Sequence, residues 1–142
     1  ALVADTFELI RLQGQEKKVS LRSEINGETY VYADKRMLQS ILKNLISNGI
    51  KYSSDGAAVT LSAQVSANTV NIAITDQGIG IENITELLEW RIQKSRKGTY
   101  SEKGSGLGLL IVKDFLDFHL SNLIIESTPG KGSKFSFEIQ KG

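Results

Sequence analysis

The chain has no cysteine, which excludes disulfides and thiolate metal sites and leaves the redox compartment undetermined. It has no apolar run approaching the roughly 20 residues needed to span a bilayer, and no signal-peptide layout at its start. It has no large charge of either sign: a net charge of +1 supplies no general attraction to nucleic acid or to acidic membrane surfaces. It has no internal repeat and no low-complexity segment. What remains is 142 residues, 40% apolar and 23% charged, the profile of one ordinary globular domain with enough chain for a sizeable core.

Read in order, residues 1–13 carry Leu2, Val3, Phe7, Leu9, Ile10 and Leu12 at helical intervals, with Gly14 as a natural stop. So abrupt a helical beginning points to a domain excised from a longer protein. Val19, Leu21 and Ile25 then alternate with polar residues, Asn26-Gly27 marks a tight turn, and Thr29 to Ala33 reads as a second strand, which together predict a hairpin. Asp34 sits where a helix N-cap belongs, and the helix it opens ends near Tyr52, before the turn residues Ser53 to Gly56. Val59 to Val65 and Val70 to Ile74 alternate strictly on either side of an Ala67-Asn68-Thr69 turn, predicting two antiparallel neighbours.

From Ile84 to Lys103 periodicity fails, and the polar run QKSRKGTYSEK reads as a mobile lid or a linker. Leu107 to Leu120 is again helical and well buried, Leu123 to Glu126 is a strand, and Lys134 to Gln140 closes the chain as another after a turn from Thr128 to Gly132. Strand pairs interrupted by helices predict an α+β fold. The expected architecture is a two-layer sandwich whose mixed, mostly antiparallel sheet is covered on one face by helices.

Three stretches carry chemistry. In MLQSILKNLISNGIKYS, Leu38, Ile41, Leu42, Leu45 and Ile46 form one helical stripe, while Asn44, Asn48 and Lys51 fall at i, i+4 and i+7 on another face. Amide oxygens suit a hard cation such as magnesium, and amide nitrogen and ammonium suit phosphate oxygens. Asparagine and lysine are also common on solvated helix faces, so this face alone does not decide. In ITDQGIGI, Asp76 leaves a strand with Gly78 and Gly80 behind it. A carboxylate there can accept from the exocyclic amine of adenine and would repel the carbonyl of guanine, although aspartate is also an ordinary turn former. In KGSGLGLLIVK, Gly104, Gly106 and Gly108 open a helix whose first amides and dipole favour an anion, although a plain hinge would look similar. The spacing is not that of the Rossmann fingerprint, no Walker sequence is present, and no catalytic loop of the eukaryotic protein kinases follows.

Taken together and in this order, Asn44-x-x-x-Asn48-x-x-Lys51-Tyr52, Asp76-x-Gly78-x-Gly80 and Gly104-x-Gly106-x-Gly108 closely resemble the catalytic ATP-binding domain of bacterial sensor histidine kinases. That domain belongs to a superfamily shared with gyrase, heat-shock chaperone and mismatch-repair ATPases. The resemblance covers essentially residues 1–142 as one domain with an ATP lid at about 82–104. It implies that ATP and magnesium are the cofactors, with Asn48 on the metal, Asn44 on the phosphates or metal shell, and Lys51 on phosphate. Tyr52 would pack near base or ribose, and Asp76, Gly78 and Gly80 would form the adenine pocket. Gly104, Ser105, Gly106, Leu107 and Gly108 would close over the triphosphate, and Ser133 would lie near the adenine. Asn44 and Lys51 are the implied catalytic residues.

Superfamily members that hydrolyse ATP usually carry glutamate where Asn44 stands, and an amide cannot activate water. The resemblance therefore implies transfer of the γ-phosphate to a histidine on a separate dimerisation hairpin, in a cytoplasmic two-component system with a response regulator downstream. The fragment itself is expected to be monomeric, without nucleic-acid or membrane contact. His119, the only histidine, falls late in a buried helix and reads as structural, so the phosphoacceptor is expected outside this chain. A silent nucleotide-binding module and an anti-sigma-type serine kinase share these boxes. The family's phenylalanine box is not evident in LLEWRIQKSRKGTYSEKG, where Trp90-Arg91 stands instead, and Gly49 and the His119-Leu120-Ser121-Asn122 turn replace the commoner alanine and glycine pair.

Overall fold

A computed structural model describes residues 2–25, 28–53, 56–77, 107–128 and 132–142. The predicted Asn26-Gly27 turn, the lid at about 82–104 and the Trp90-Arg91 segment lie outside these residues. The elements are α1 (Leu2–Lys17), β1 (Ser20–Ser23), α2 (Lys35–Tyr52), β2 (Ala58–Val65), β3 (Thr69–Asp76), α3 (Leu107–Phe118), β4 (Ile124–Thr128) and β5 (Gly132–Gln140). Five strands form one sheet in the order β1-β2-β3-β5-β4, with β1 parallel to β2 and every other pairing antiparallel. The expected α+β sandwich with a mixed, mostly antiparallel sheet is what the chain forms.

Helix α2 organises the core. Asp34 caps it, its carboxylate accepting from the Met37 N–H at 2.9 Å. The stripe Leu38, Ile41, Leu42, Leu45, Ile46 and Ile50 is buried against the sheet. Facing it are the cross-strand pairs Val70–Ile139, Ile72–Phe137 and Ile74–Phe135, joined by Leu61 of β2 and by Leu109, Val112 and Leu116 of α3. On the opposite face Thr75, Lys134 and Glu138 are exposed while Ala73 and Ser136 are buried, so the alternation expected of a sheet covered on one side holds only in part.

Two local expectations fail, for different reasons. Helix α1 does not stop at Gly14 but runs on to Lys17. Gly14 serves close approach instead: a Cβ there would lie 3.1 Å from the Val19 carbonyl oxygen. The stop is Lys18, which takes a left-handed φ of 59° so that the Val19 N–H reaches the Gly14 carbonyl at 2.9 Å and the Lys18 N–H reaches that of Gln15 at 3.1 Å. This is the double hydrogen bond of a Schellman ending, with lysine where glycine is usual. Nor do the described residues of the predicted hairpin pair with one another. Ser20 to Ser23 pair in parallel with Ala58 to Leu61, whereas Val31 bridges to Lys141 beyond β5, with the Tyr32 N–H on the Gln140 carbonyl at 2.8 Å. Non-local partners thus claim both segments that a local turn signal joins.

Helix α3 ends as α1 does. Leu120 has φ 56°, and the Ser121 N–H donates to the Leu116 carbonyl at 2.8 Å. Leu120 is 95% exposed, so its left-handed backbone is offset by no burial. Leu120→Gly is expected to raise stability by about 0.5–1 kcal/mol in urea unfolding. Phe137→Ala, at a wholly buried position, is expected to lower it by about 3–5 kcal/mol in the same assay.

Candidate functional site

The helix-facing side of the sheet can be read as successive cross-strand rows. Val65–Val70–Ile139, Ala63–Ile72–Phe137 and Leu61–Ile74–Phe135–Ile125 are apolar, and the next row is Val59–Asp76–Ser133–Ser127. The apolar face therefore ends in a carboxylate and two hydroxyls. Asp76 is 5% exposed and accepts from the Ser133 N–H at 3.3 Å. The Ser133 Oγ lies 3.1 Å from the Ser127 Oγ, which also donates to the Gly132 carbonyl at 3.3 Å. An ionised carboxylate this buried is costly unless hydrogen-bonded, so the strand-end backbone is part of what holds it.

Two glycines let the backbone close around Asp76. Gly132 has φ 123°, a conformation that L side chains rarely adopt, and any Cβ there would fall on the Asp76 carbonyl oxygen. Gly49 of α2 crosses the same row, where a Cβ would lie 3.1 Å from Val59 Cγ1 and 3.6 Å from Asp76 Cβ. Behind Asp76, the Gln77 side-chain oxygen accepts from the Ala58 N–H at 3.1 Å, tying the strand end to β2.

Along α2, Asn44, Asn48, Lys51 and Tyr52 are all half-buried. The Asn44 amide nitrogen donates back to the Ser40 carbonyl at 2.8 Å. That bond turns its Oδ1 toward the first turn of α3: a Cβ on Gly108 would lie 2.9 Å from it. Neither the Asn44 Oδ1 nor the Asn48 amide makes a further hydrogen bond among the described residues. The Lys51 Nζ rests 5.3 Å from the centroid of the Tyr52 ring, in cation–π range.

Helix α2 thus meets the strand-end carboxylate through Gly49 and the start of α3 through Asn44. The contacts join Asn44 to Gly108, whose neighbour Leu107 is the first residue of α3, and Asp76 to Ser133 and Gly49, while Asn48, Lys51 and Tyr52 lie on the same helix α2. Gly78, Gly80, Gly104, Ser105 and Gly106 lie outside the described residues. His119 is elsewhere, eleven positions beyond Gly108 and so roughly 16 Å along the helix. Its Nε2 accepts from the Asp34 N–H at 3.0 Å and its Nδ1 is 2.7 Å from the Phe115 carbonyl, so one neutral tautomer satisfies both.

Three contributors escape a motif reading. Ser127 lies one residue past the predicted end of its strand, yet it stands in the Asp76 row. Gln13 and Lys17 come from α1: Ser47 donates to the Gln13 side chain at 2.8 Å, and the Lys17 Nζ donates to the Lys51 carbonyl at 2.9 Å. Their only sequence signal is matched spacing, four residues apart on each of two facing helices.

Against this geometry, residues 33–142 match the family model described as histidine kinase-, DNA gyrase B-, and HSP90-like ATPase. The chain belongs to this family. The histidine protein kinase DivJ of Caulobacter vibrioides is 32% identical over 139 residues, covering 96% of this chain and 23% of that protein. The sensor histidine kinase WalK of Bacillus subtilis is 32% identical over 145 residues, covering 98% and 23% respectively. The sensor-like histidine kinase SenX3 of Mycobacterium tuberculosis (strain ATCC 25618 / H37Rv) is 30% identical over 167 residues, covering 97% and 41%. The chain therefore spans less than half the length of the curated relatives it matches. In fold it is similar to the catalytic domain of histidine kinase ThkA, with TM-score 0.78 and 24% identity over 99% of this chain and 92% of that one. It is similarly close to full-length ShkA in complex with AMPPNP, with TM-score 0.80 and 22% identity over 99% of this chain and 29% of that one.

Gly132→Ala combines an unfavourable φ with a backbone clash on Asp76, and is expected to cost roughly 2–4 kcal/mol in urea unfolding. Gly49→Ala meets only the Val59 side chain at close range and is expected to cost less than half as much.

Proposed function

We propose that this chain binds Mg-ATP and presents its γ-phosphate to a histidine on a separate dimerisation and phosphoacceptor hairpin in two-component signalling. The observation that carries the reading is that one helix, α2, abuts both the buried strand-end carboxylate and the first turn of a second helix. Adenine chemistry belongs at the first contact and phosphate chemistry at the second. Asp76 accepts from the exocyclic amine of adenine, beside Ser133, with Gly78 and Gly80 shaping the base pocket. Tyr52 packs near base or ribose. The N-terminal amides of α3 at Leu107 and Gly108, preceded by Gly104, Ser105 and Gly106, receive the phosphates, where the helix dipole favours negative charge.

The donor set fits magnesium. Asn44 and Asn48 offer amide oxygens that accept no bond among the described residues, on one helix face, and magnesium typically takes one or two protein ligands with phosphate and water completing its shell. Asn48 holds the metal, with Asn44 on its shell or on phosphate; when bound it neutralises charge on the phosphoryl oxygens. Lys51 leaves the Tyr52 face to meet phosphate.

Catalysis is then positioning and charge neutralisation: a partner imidazole nitrogen attacks the γ-phosphorus in line, and ADP leaves. Asn44 cannot take a proton from water, so hydrolysis stays slow. His119 is held at both ring nitrogens and is not the acceptor. This catalytic unit works in the cytoplasm, whether or not its parent protein is membrane-anchored, and the phosphate passes to a response regulator; the unit alone is monomeric and contacts neither nucleic acid nor membrane. Among the described residues no helix is long and apolar enough to cross a membrane.

Titration calorimetry is expected to give magnesium-assisted ATP binding that falls at least about tenfold in Asp76→Asn and in Asn48→Ala. With labelled ATP and a histidine-bearing hairpin, acid-labile phosphate should appear on the hairpin. Binding indifferent to both substitutions, or acid-stable phosphoserine instead, would overturn the reading.

A further inference from the structure

An α-helix leaves the carbonyls of its last turn without intrahelical partners. Helix α2 does not close with a left-handed residue, as α1 and α3 do; its C-cap, Ser53, is extended. Its terminal carbonyls are met in other ways. The Ser53 hydroxyl donates to the Gly49 carbonyl at 2.6 Å, and the Ser53 N–H to that of Ile50 at 3.2 Å. The Lys51 carbonyl is met from another helix, by the half-buried Lys17, whose Nζ donates to it at 2.9 Å. One turn earlier Gln13 grips Ser47 twice, its side-chain oxygen accepting from the Ser47 hydroxyl at 2.8 Å and its nitrogen donating to the Ser47 carbonyl at 3.4 Å. The segment leaving α2 is fastened to the same place, the Gly56 N–H donating to the Lys18 carbonyl at 2.8 Å. The half of α2 that bears Asn48 and Lys51 is thus tied to the end of α1 at successive turns.

We infer that Lys17 is a positioning residue for the phosphate end of the site: by closing the last turn of α2 from outside, it fixes the backbone from which Lys51 projects, and Gln13 does the same one turn earlier, beside Asn48. This rests on the ATP reading above. A lysine side chain is rich in rotamers, so seating its ammonium on a phosphate costs less when the backbone beneath it is already held. The bond from Lys17 is charge-assisted, and it sets a cation at a helix C-terminus, where the dipole favours one. Removing it turns the Lys51 carbonyl to water and loosens the last turn. Asp76 and Ser133 are held by the sheet instead, so the phosphate contact weakens more than the base contact.

The test is the ratio of affinities for Mg-ATP and adenosine, which share the base and differ in the phosphates, measured by amide-resonance titration of the 142-residue chain. Lys17→Met, which keeps the apolar stem and removes the ammonium, is expected to narrow the ratio about fivefold, and Lys17→Arg to restore most of it. Lys18→Met is the charge control: it removes the same charge from the exposed neighbouring side chain and should leave the ratio unmoved. A merely structural role for Lys17 would weaken both ligands together. If Lys17→Met does not fold, Gln13→Ala, at an exposed position, frees Ser47 beside Asn48 and should narrow the ratio about twofold to threefold. An unchanged ratio in the variant that folds, or an equal narrowing in Lys18→Met, overturns the inference and leaves the ATP reading standing. Failure of the unsubstituted chain to bind either ligand removes that reading, and the inference with it.

Discussion

A carboxylate buried at the end of an apolar sheet face is the constraint from which the rest of this molecule can be reasoned. Rows of valine, isoleucine and phenylalanine line the helix-facing side until Asp76, where a side chain that prefers water by several kcal/mol is placed out of water. Tolerating it requires a backbone donor at Ser133, a glycine at 132 in a left-handed conformation to bring that backbone close, and a glycine at 49 to let α2 pass over it. Two distant stretches of chain, at Gly49 and at Gly132-Ser133, are committed to one ionisable group. Such concentrated arrangement around a polar side chain is more economically explained by what the group binds than by stability, since an apolar residue would pack there without it.

The second constraint is carried by α2, whose two faces do different work. One face is the main wall of the core; another turns Asn44 toward the start of α3. Because the same rigid helix bears both, the distance between the carboxylate end and the amide end of the site is set by core packing. Helix α1 reinforces this from outside through Gln13 on Ser47 and Lys17 on the Lys51 carbonyl, the latter placing a cation on the last turn of α2, where the helix dipole favours one. Among the described residues, positioning therefore resides in helices and strands.

Much of this was legible in the residues. The stripe of α2, the Asp34 cap, the alternation of β2 and β3 and the buried pattern of α3 each arise from local periodicity or a single local bond, and each is where reading the chain places it. The order of the three motif stretches led to the family, and their meeting at Gly49 and Gly108 is a tertiary fact no spacing could supply. The errors share a cause. Gly14 looked like a helix stop because glycine often is one, but the fold needed its missing side chain for close approach and made Lys18 take the left-handed turn. The Asn26-Gly27 signal argued for a hairpin that distant partners for β1 and Val31 overrode. Ser127 and Lys17 carried no signal, since a lone hydroxyl or ammonium acquires meaning only from what stands opposite it.

The carboxylate end and the amide end are proposed to form one site for one nucleotide. Titrating an isotope-labelled chain with Mg-ATP, followed by amide resonances, tests it most directly. With one shared site, Asn44, Asn48, Asp76, Gly108 and Ser133 shift together along a single saturation curve, while residues at the far ends of the strands, such as Val65 and Gln140, stay still. Shifts that follow separate curves at the two ends, or that spare Asp76 and Ser133 altogether, would contradict it.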